Sequence, residues 1–281
     1  MEVDQTSVKV DLFFRASGLL TPKYTSDRHI RVLHDFFNAA ECFYSSVEIK
    51  GGICYFLRDG KHEGDCTVFN HDGRTVKEQK ARPLKEENSD VFMRYEEGVS
   101  IYHKVRAFQE TSFESMVSTQ RPFGFRTYVH GTPEPFTDSV KIYERGGAGY
   151  IASHEVTQNA HWIDKPKVYI SAAYGASDSF PHQILGKPIV GERNSCCTET
   201  YVVIGPYDDE TTAENVASYI RTKFFRFLVM LKKTSQHAAA NVYAFVPVQD
   251  FSKPWTDAEL YEKYGLTEDE IAFIEATIKP M

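Results

Sequence analysis

"IRVLHDFFNAAECFYSSVEIKGGICYFLRDG" (residues 30–60) is the stretch on which the reading of the fold turns. Its ends are rich in β-branched and aromatic residues, the composition of strands. "NAAECFYSS" between them reads as a loop. The pattern predicts one strand over 28–38 and a second, strongly apolar one over 47–58. "DGKHEGD" then carries the glycine and aspartate of a hairpin turn and leads to a further strand near 66–70, "CTVFN". A strand and a hairpin cannot bury both faces alone, so another layer must pack on them. Within the stretch, Glu48 and Lys50 flank Ile49, with Asp35 upstream. A carboxylate followed by an acid-x-lysine step on the next strand can hold Mg²⁺ and place an attacking water, as metal-dependent nucleases do. The same letters serve as the exposed face of a hairpin, where Glu and Lys pair across water.

The chain has 281 residues, 42% of them hydrophobic and 25% charged, which suits one large or two modest globular domains. Its longest apolar block, "FFRFLVML" (224–231), is interrupted by Arg226 and falls short of the ~18 residues of a membrane span. The start, "MEVDQTSVKVDLFF", lacks the basic region of a signal peptide. These features predict a cytoplasmic protein with no membrane partner. The net charge of −7 disfavours a simple nucleic-acid coat, so positive charge must be sought locally. Five cysteines, Cys42, Cys54, Cys66, Cys196 and Cys197, occur without a C-x-x-C pair. They read as small buried hydrophobes rather than zinc ligands or disulfides.

Residues 71–90, "HDGRTVKEQKARPLKEENSD", are polar and contain Pro83, and they predict a boundary or exposed excursion. "SVKIYERGGAGYIAS" (139–153) predicts a hairpin with Gly146 and Gly147 at its tip, since no helix opens after the glycines as a phosphate loop requires. Strands follow at 164–175 and 199–208. A single long helix is predicted next, from a Thr211–Glu214 capping box. Val216, Ile220, Phe224, Phe227 and Leu231 form its apolar stripe. The tail predicts two short helices separated by Gly265, each opened by a threonine cap.

Hydrolase signatures are missing: G-x-S-x-G and H-E-x-x-H do not occur. Basic residues cluster in three places. "RTVKEQKARPLK" carries Arg74, Lys77, Lys80, Arg82 and Lys85. "QRPFGFRTY" interleaves Arg121 and Arg126 with Phe123, Phe125 and Tyr128 around a P-F-G-F turn. The long helix carries Lys223 and Arg226 on one side. Cations interleaved with aromatics suit phosphate and base contacts, although charge runs also simply face water.

Several long blocks resemble one enzyme group. They are residues 30–60, "QRPFGF", the run from "KVYISAAYGASDSFPHQILGKPIVGERNSCCTETYVVIG" to "RFLVMLKK", and "VPVQDFSKPWTDAELYEKYGLTEDEIAFIE". The group is the adenine-specific N6 DNA methyltransferases of bacterial restriction–modification systems, and the likeness runs from about residue 28 onward. The resemblance implies an α/β chain. Residues 1–72 would be the C-terminal strands and hairpin of a Rossmann-like methylase sheet, 73–90 a polar excursion or linker, and 91–281 a mixed α/β target-recognition domain with C-terminal helices. The family's glycine-rich S-adenosylmethionine loop and its Asn-Pro-Pro-Tyr motif are absent, and "MEVDQTSVKVDLFFRASGLLTPKY" follows the family pattern only loosely. The resemblance therefore implies part of a larger enzyme, or the product of a split or decayed gene. It implies no catalytic, cofactor-binding or metal residue in this chain, with S-adenosylmethionine belonging to the complete enzyme. Implied partners are duplex DNA and a catalytic methylase half or subunit.

Phe43 matches the family aromatic that stacks on the extruded adenine. Arg121, Phe123, Phe125, Arg126, Lys223 and Arg226 are the DNA-binding candidates. On this reading Glu48 and Lys50 belong to the closing hairpin of the methylase sheet. A nuclease using Asp35, Glu48 and Lys50, or an interaction protein that docks on a methylase, are the alternatives.

Overall fold

The computed structural model describes residues 8–14, 22–38, 41, 52–73, 75–174 and 180–281. Phe43, Glu48 and Lys50 lie outside the described residues. The chain is mixed α/β with three small sheets among those residues, and it divides into two compact units, Met1–Ser100 and Ile101–Met281.

The first unit is built on a five-stranded sheet of order β1-β3-β2-β4-β5, with β1 Val8–Phe14, β2 Ile30–Phe36, β3 Ile53–Asp59, β4 Thr67–Asp72 and β5 Thr75–Glu78. Leu33, Cys54, Phe56 and Val68 alternate inward, as the two-residue strand period requires. They pack with Leu84 and Phe92, and Tyr24 of the short helix α1 (Pro22–Thr25) closes against Phe56.

The predicted hairpin between the strands at 47–58 and 66–70 does not form. β3 pairs antiparallel with β2 on one side and β1 on the other, while β4 runs parallel to β2. The connection is tied to the start of β2, with the Asp59 amide donating to the His29 carbonyl (2.9 Å) and the Gly64 amide to that of Arg28 (3.1 Å). The chain is thus led past β2 rather than back along β3. Three of the four pairings are antiparallel, whereas a Rossmann-like sheet is mostly parallel.

The polar stretch 73–90 carries β5, which is exposed along its whole length. β5 pairs with β4. Cys66 and Arg82 then exchange backbone hydrogen bonds of 2.8 and 3.1 Å. The Arg82 side chain is buried on Glu86 (3.0 Å), so its charge is matched inside the fold. The chain divides into its two compact units at Ser100/Ile101, within helix α2 (Glu96–Ala107).

The second unit has two three-stranded sheets and a helical layer. β6 (Ser139–Glu144) and β7 (Gly147–Ala152) form the predicted hairpin. Its sheet has the order β10-β6-β7, and the other β11-β8-β9, with β8 Lys167–Ser171, β9 Ile189–Gly191, β10 Ser195–Cys197 and β11 Tyr201–Ile204. Val140, Ile142, Ile151, Tyr169, Cys196, Cys197 and Val203 share one core with Phe123. All four described cysteines are buried, as expected, and burial pushes the Cys66 and Cys196 thiols up to about 12.

The single long helix is two helices, α3 (Glu210–Arg221) and α4 (Lys223–Lys232). Asp209, rather than Thr211, caps α3 by accepting from the Thr212 amide (2.8 Å). Thr222 takes an extended conformation, with ψ 150°, and its hydroxyl accepts from the Phe225 amide (3.1 Å). The Asp257 carboxylate accepts from the Lys223 and Phe224 amides (3.0 and 2.8 Å). A side chain distant in sequence thus satisfies donors that a continuous helix would have paired internally. The tail forms as predicted. α5 (Asp257–Lys263) and α6 (Glu268–Thr277) open with capping boxes at Thr256–Glu259 and Thr267–Glu270. Gly265, at φ +60°, turns the chain between them.

Candidate nucleic-acid interface

The turn at 121–124 is closed by the Gly124 amide donating to the Arg121 carbonyl (3.0 Å), with Gly124 at φ +85°. Phe123 drops into the core at 1% exposure, and Phe125 packs partly against the same cluster. Both aromatics assigned to base contact thus anchor the turn from below, and Phe123 has no surface to offer a base. The arginines on either side are left outside, Arg121 at 45% and Arg126 at 54% side-chain exposure.

Glu199, just before β11, holds this arrangement. Its carboxylate accepts from the Thr127 amide (3.1 Å) and lies 3.7 Å from the Arg121 guanidinium and 4.0 Å from that of Arg126. Its own amide donates to the Phe125 carbonyl (2.9 Å). At 16% exposure Glu199 sits beneath the two guanidiniums. The carboxylate faces inward and the cations outward, a polarity suited to an anionic partner. Tyr128, two residues on, is 77% exposed.

The segment after Tyr128 is fastened to the β6–β7 hairpin. His130 Nδ1 and Glu144 Oε2 are 3.0 Å apart, and the Gly131 amide donates to the same oxygen (3.3 Å). Thr132 and Tyr150 exchange backbone hydrogen bonds of 2.9 Å. Between these contacts the two backbones touch. A Cβ on Gly149 would sit 2.7 Å from the Gly131 Cα, closer than any side chain permits. The Glu144 contact places His130 beside the hairpin turn, which exposes Arg145. Sequence reasoning missed Glu199, His130 and Arg145. The signal for Arg145 was present as an arginine next to the glycines of the predicted hairpin turn. The role of Glu199 is visible only in three dimensions.

The helical candidates are placed differently. Arg226 is completely buried, and its guanidinium donates to the carbonyls of Lys279 (2.8 Å), Arg221 (3.0 Å) and Thr222 (3.2 Å). Burial lowers it to about 10. It is an internal fastening between α3, α4 and the C-terminus, and cannot meet a phosphate. Lys223, 15% exposed, is engaged by the Glu275 carboxylate. Helical spacing marks a face, but here that face is covered by the tail. Arg121 and Arg126 are thus the two predicted cations that the structure brings together.

In the first unit, Asp35 is wholly buried and its carboxylate meets Arg94 at 2.9 Å, so the fold uses it as the partner of an internal cation. No group of three or more His, Cys, Asp or Glu suited to a metal occurs among the described residues. No helix among the described residues is long and apolar enough to cross a membrane.

No protein-family model and no curated protein matches the chain. Among solved structures it is similar to the type IIG restriction endonuclease BpuSI, at a TM-score of 0.36 and 8% identity over 92% of this chain and 42% of that one. It is also similar to the type IIL restriction–modification enzyme MmeI in complex with DNA, at a TM-score of 0.37 and 9% identity over 97% of this chain and 44% of that one. The chain spans less than half the length of either.

Proposed function

We propose that this chain is a DNA-binding, site-recognising portion of an adenine-specific N6 DNA methyltransferase of a restriction–modification system. The observation that carries the DNA-binding part is the grouping of exposed Arg121, Arg126 and Tyr128 on a turn anchored by Phe123 and Glu199. Arginines held outward over a low-lying carboxylate supply phosphate contacts, and an exposed ring beside them supplies apolar contact with bases or sugars. The sequence resemblance supplies the rest of the reading. Residues 1–72 would descend from a methylase sheet, and methyl transfer from S-adenosylmethionine to adenine N6 would be performed by residues outside this chain. Phe43 as the adenine-stacking aromatic belongs to the same reading.

The test is fluorescence anisotropy of a labelled DNA duplex titrated with the full chain at several salt concentrations. Arg121→Ala and Arg126→Ala should each flatten the slope of log affinity against log salt by about 0.9, one phosphate contact apiece. Lys279→Ala, near the C-terminus, should leave the slope unchanged. No binding by the unmodified chain, or equal slopes for all three variants, refutes the proposal.

A further inference from the structure

The β6–β7 turn has features that phosphate contact does not require. β10 pairs with β6 only as far as Cys197↔Tyr143, so the last rung, Glu144↔Gly147, is a two-stranded ribbon. Beyond it the turn consists of Arg145 and Gly146, with Gly146 at φ +91°. Residues 145–148 are all exposed. After Arg145 they read Gly-Gly-Ala, and Cβ atoms built on Gly146 and Gly147 meet nothing. Among the described residues Arg145 has no ion-pair or hydrogen-bond partner, unlike Arg121 and Arg126. The tip is therefore a slim strip of backbone carrying one long cationic fork. His130 flanks it, held by Glu144 next to the Gly131–Gly149 contact.

We infer that the β6–β7 turn enters the major groove of duplex DNA and that Arg145 reads a guanine there. The inference rests on the DNA-binding reading above and adds to it which residue selects sequence. A two-stranded ribbon fits a groove about 12 Å wide, and the near absence of side chains at the tip removes what would strike the groove walls. The guanidinium presents two parallel N–H donors, and guanine presents N7 and O6 as two acceptors on its major-groove edge. An arginine held by a carboxylate, as Arg121 and Arg126 are by Glu199, suits the backbone. A free one at a tip suits a base edge.

The experiment is selection from a random-core DNA duplex library with the full chain, followed by sequencing. Unmodified protein, Arg145→Ala, Arg145→Lys and Arg126→Ala are run in parallel. The unmodified protein should enrich sites with an invariant guanine. Arg145→Ala should lose that preference, about ten-fold or more, at one position and keep the others. Arg145→Lys, which retains charge but not the fork, should restore affinity without restoring the full preference. Arg126→Ala should bind all sites more weakly with the preference intact. An Arg145→Ala variant that selects the same sites, or that weakens every site evenly, overturns the assignment while the DNA-binding reading stands. Binding without sequence preference does the same. No DNA binding by the unmodified chain overturns both. A duplex RNA of the enriched sequence should compete poorly, because the A-form major groove is too narrow for the ribbon; equal competition counts against groove entry.

Discussion

Arg226 and Arg126 both look like surface cations in the sequence, and the structure gives them opposite consequences. Replacing Arg226 with methionine leaves the carbonyls of Lys279 and Arg221 without this donor, whereas that of Thr222 keeps the backbone amide of residue 226 (3.4 Å). At about 1–3 kcal/mol for each acceptor stranded, the gross loss is about 4 kcal/mol. Against this stands relief of the guanidinium's desolvation, which has moved it from its ordinary 12.5 to about 10. At about 1.4 kcal/mol per pH unit that relief is roughly 3 kcal/mol. The net cost is therefore about 1 kcal/mol, which for a unit of this size lowers Tm by roughly 2–4 °C. Replacing Arg126 with alanine removes a half-exposed pair worth about 1 kcal/mol at most, so its Tm should scarcely move. In DNA binding the order reverses. Arg226→Met, assayed well below its Tm, should bind as the unmodified chain does, and Arg126→Ala should bind several-fold more weakly at low salt. Differential scanning fluorimetry and anisotropy on the same samples make the comparison. If Arg226→Met keeps its Tm and loses DNA affinity, the assignment of these two arginines is the wrong way round.

Three further outcomes are expected. Lys167 is fully buried, with its ammonium donating to the Ile163 and Lys165 carbonyls, and burial lowers it to about 8. Its charged form is thus disfavoured in the folded state, and the penalty is lifted as pH rises from about 8 toward the unfolded value of 10.5. The stability of the unmodified chain minus that of Lys167→Met, from urea unfolding, should therefore increase over that window by up to about 1.4 kcal/mol per pH unit; a flat or falling difference contradicts it. Asp35→Asn should lower stability by about 3 kcal/mol or more by breaking a buried pair with Arg94. Neither it nor the unmodified chain should nick plasmid with Mg²⁺, and nicking abolished by this substitution would restore the nuclease alternative. Thr222→Ala should cost about 1 kcal/mol through the lost cap of α4, read as a lower urea midpoint.

Local chemistry was legible and remote partners were not. The Thr256 and Thr267 capping boxes and the glycine turn of β6–β7 are settled within a few residues of sequence, and each forms where the letters place it. The supposed hairpin after β3 failed because turn residues state that the chain bends, not which strand it will meet. β2 offered a free edge, and β4 took it. The helix broke at Thr222 because Asp257, more than thirty residues on, supplies acceptors there. An apolar stripe continuing through Phe224 and Phe227 gave no hint of it. In the candidate interface, Arg121 and Arg126 could be read as exposed cations, whereas Phe123 could not be told from a surface aromatic without the core beneath it. Glu199 lies in another strand's approach and has no local motif.

The contact between Gly131 and Gly149 has a bearing on how such an interface can change. Recognition loops that lean on one another through interlocking side chains must mutate in concert, since each substitution leaves a hole or a clash for its neighbour. Here the two segments are joined main chain to main chain at Gly131–Gly149 and Thr132–Tyr150, with the His130–Glu144 contact beside that joint, and positions 126, 128 and 145 take no part in it. These three positions can be exchanged singly or together while the scaffold keeps its shape. A combinatorial library over them, with both glycines retained, is therefore a direct route to chains that select new sites, and a bulky residue at either glycine would uncouple the two segments at a stroke.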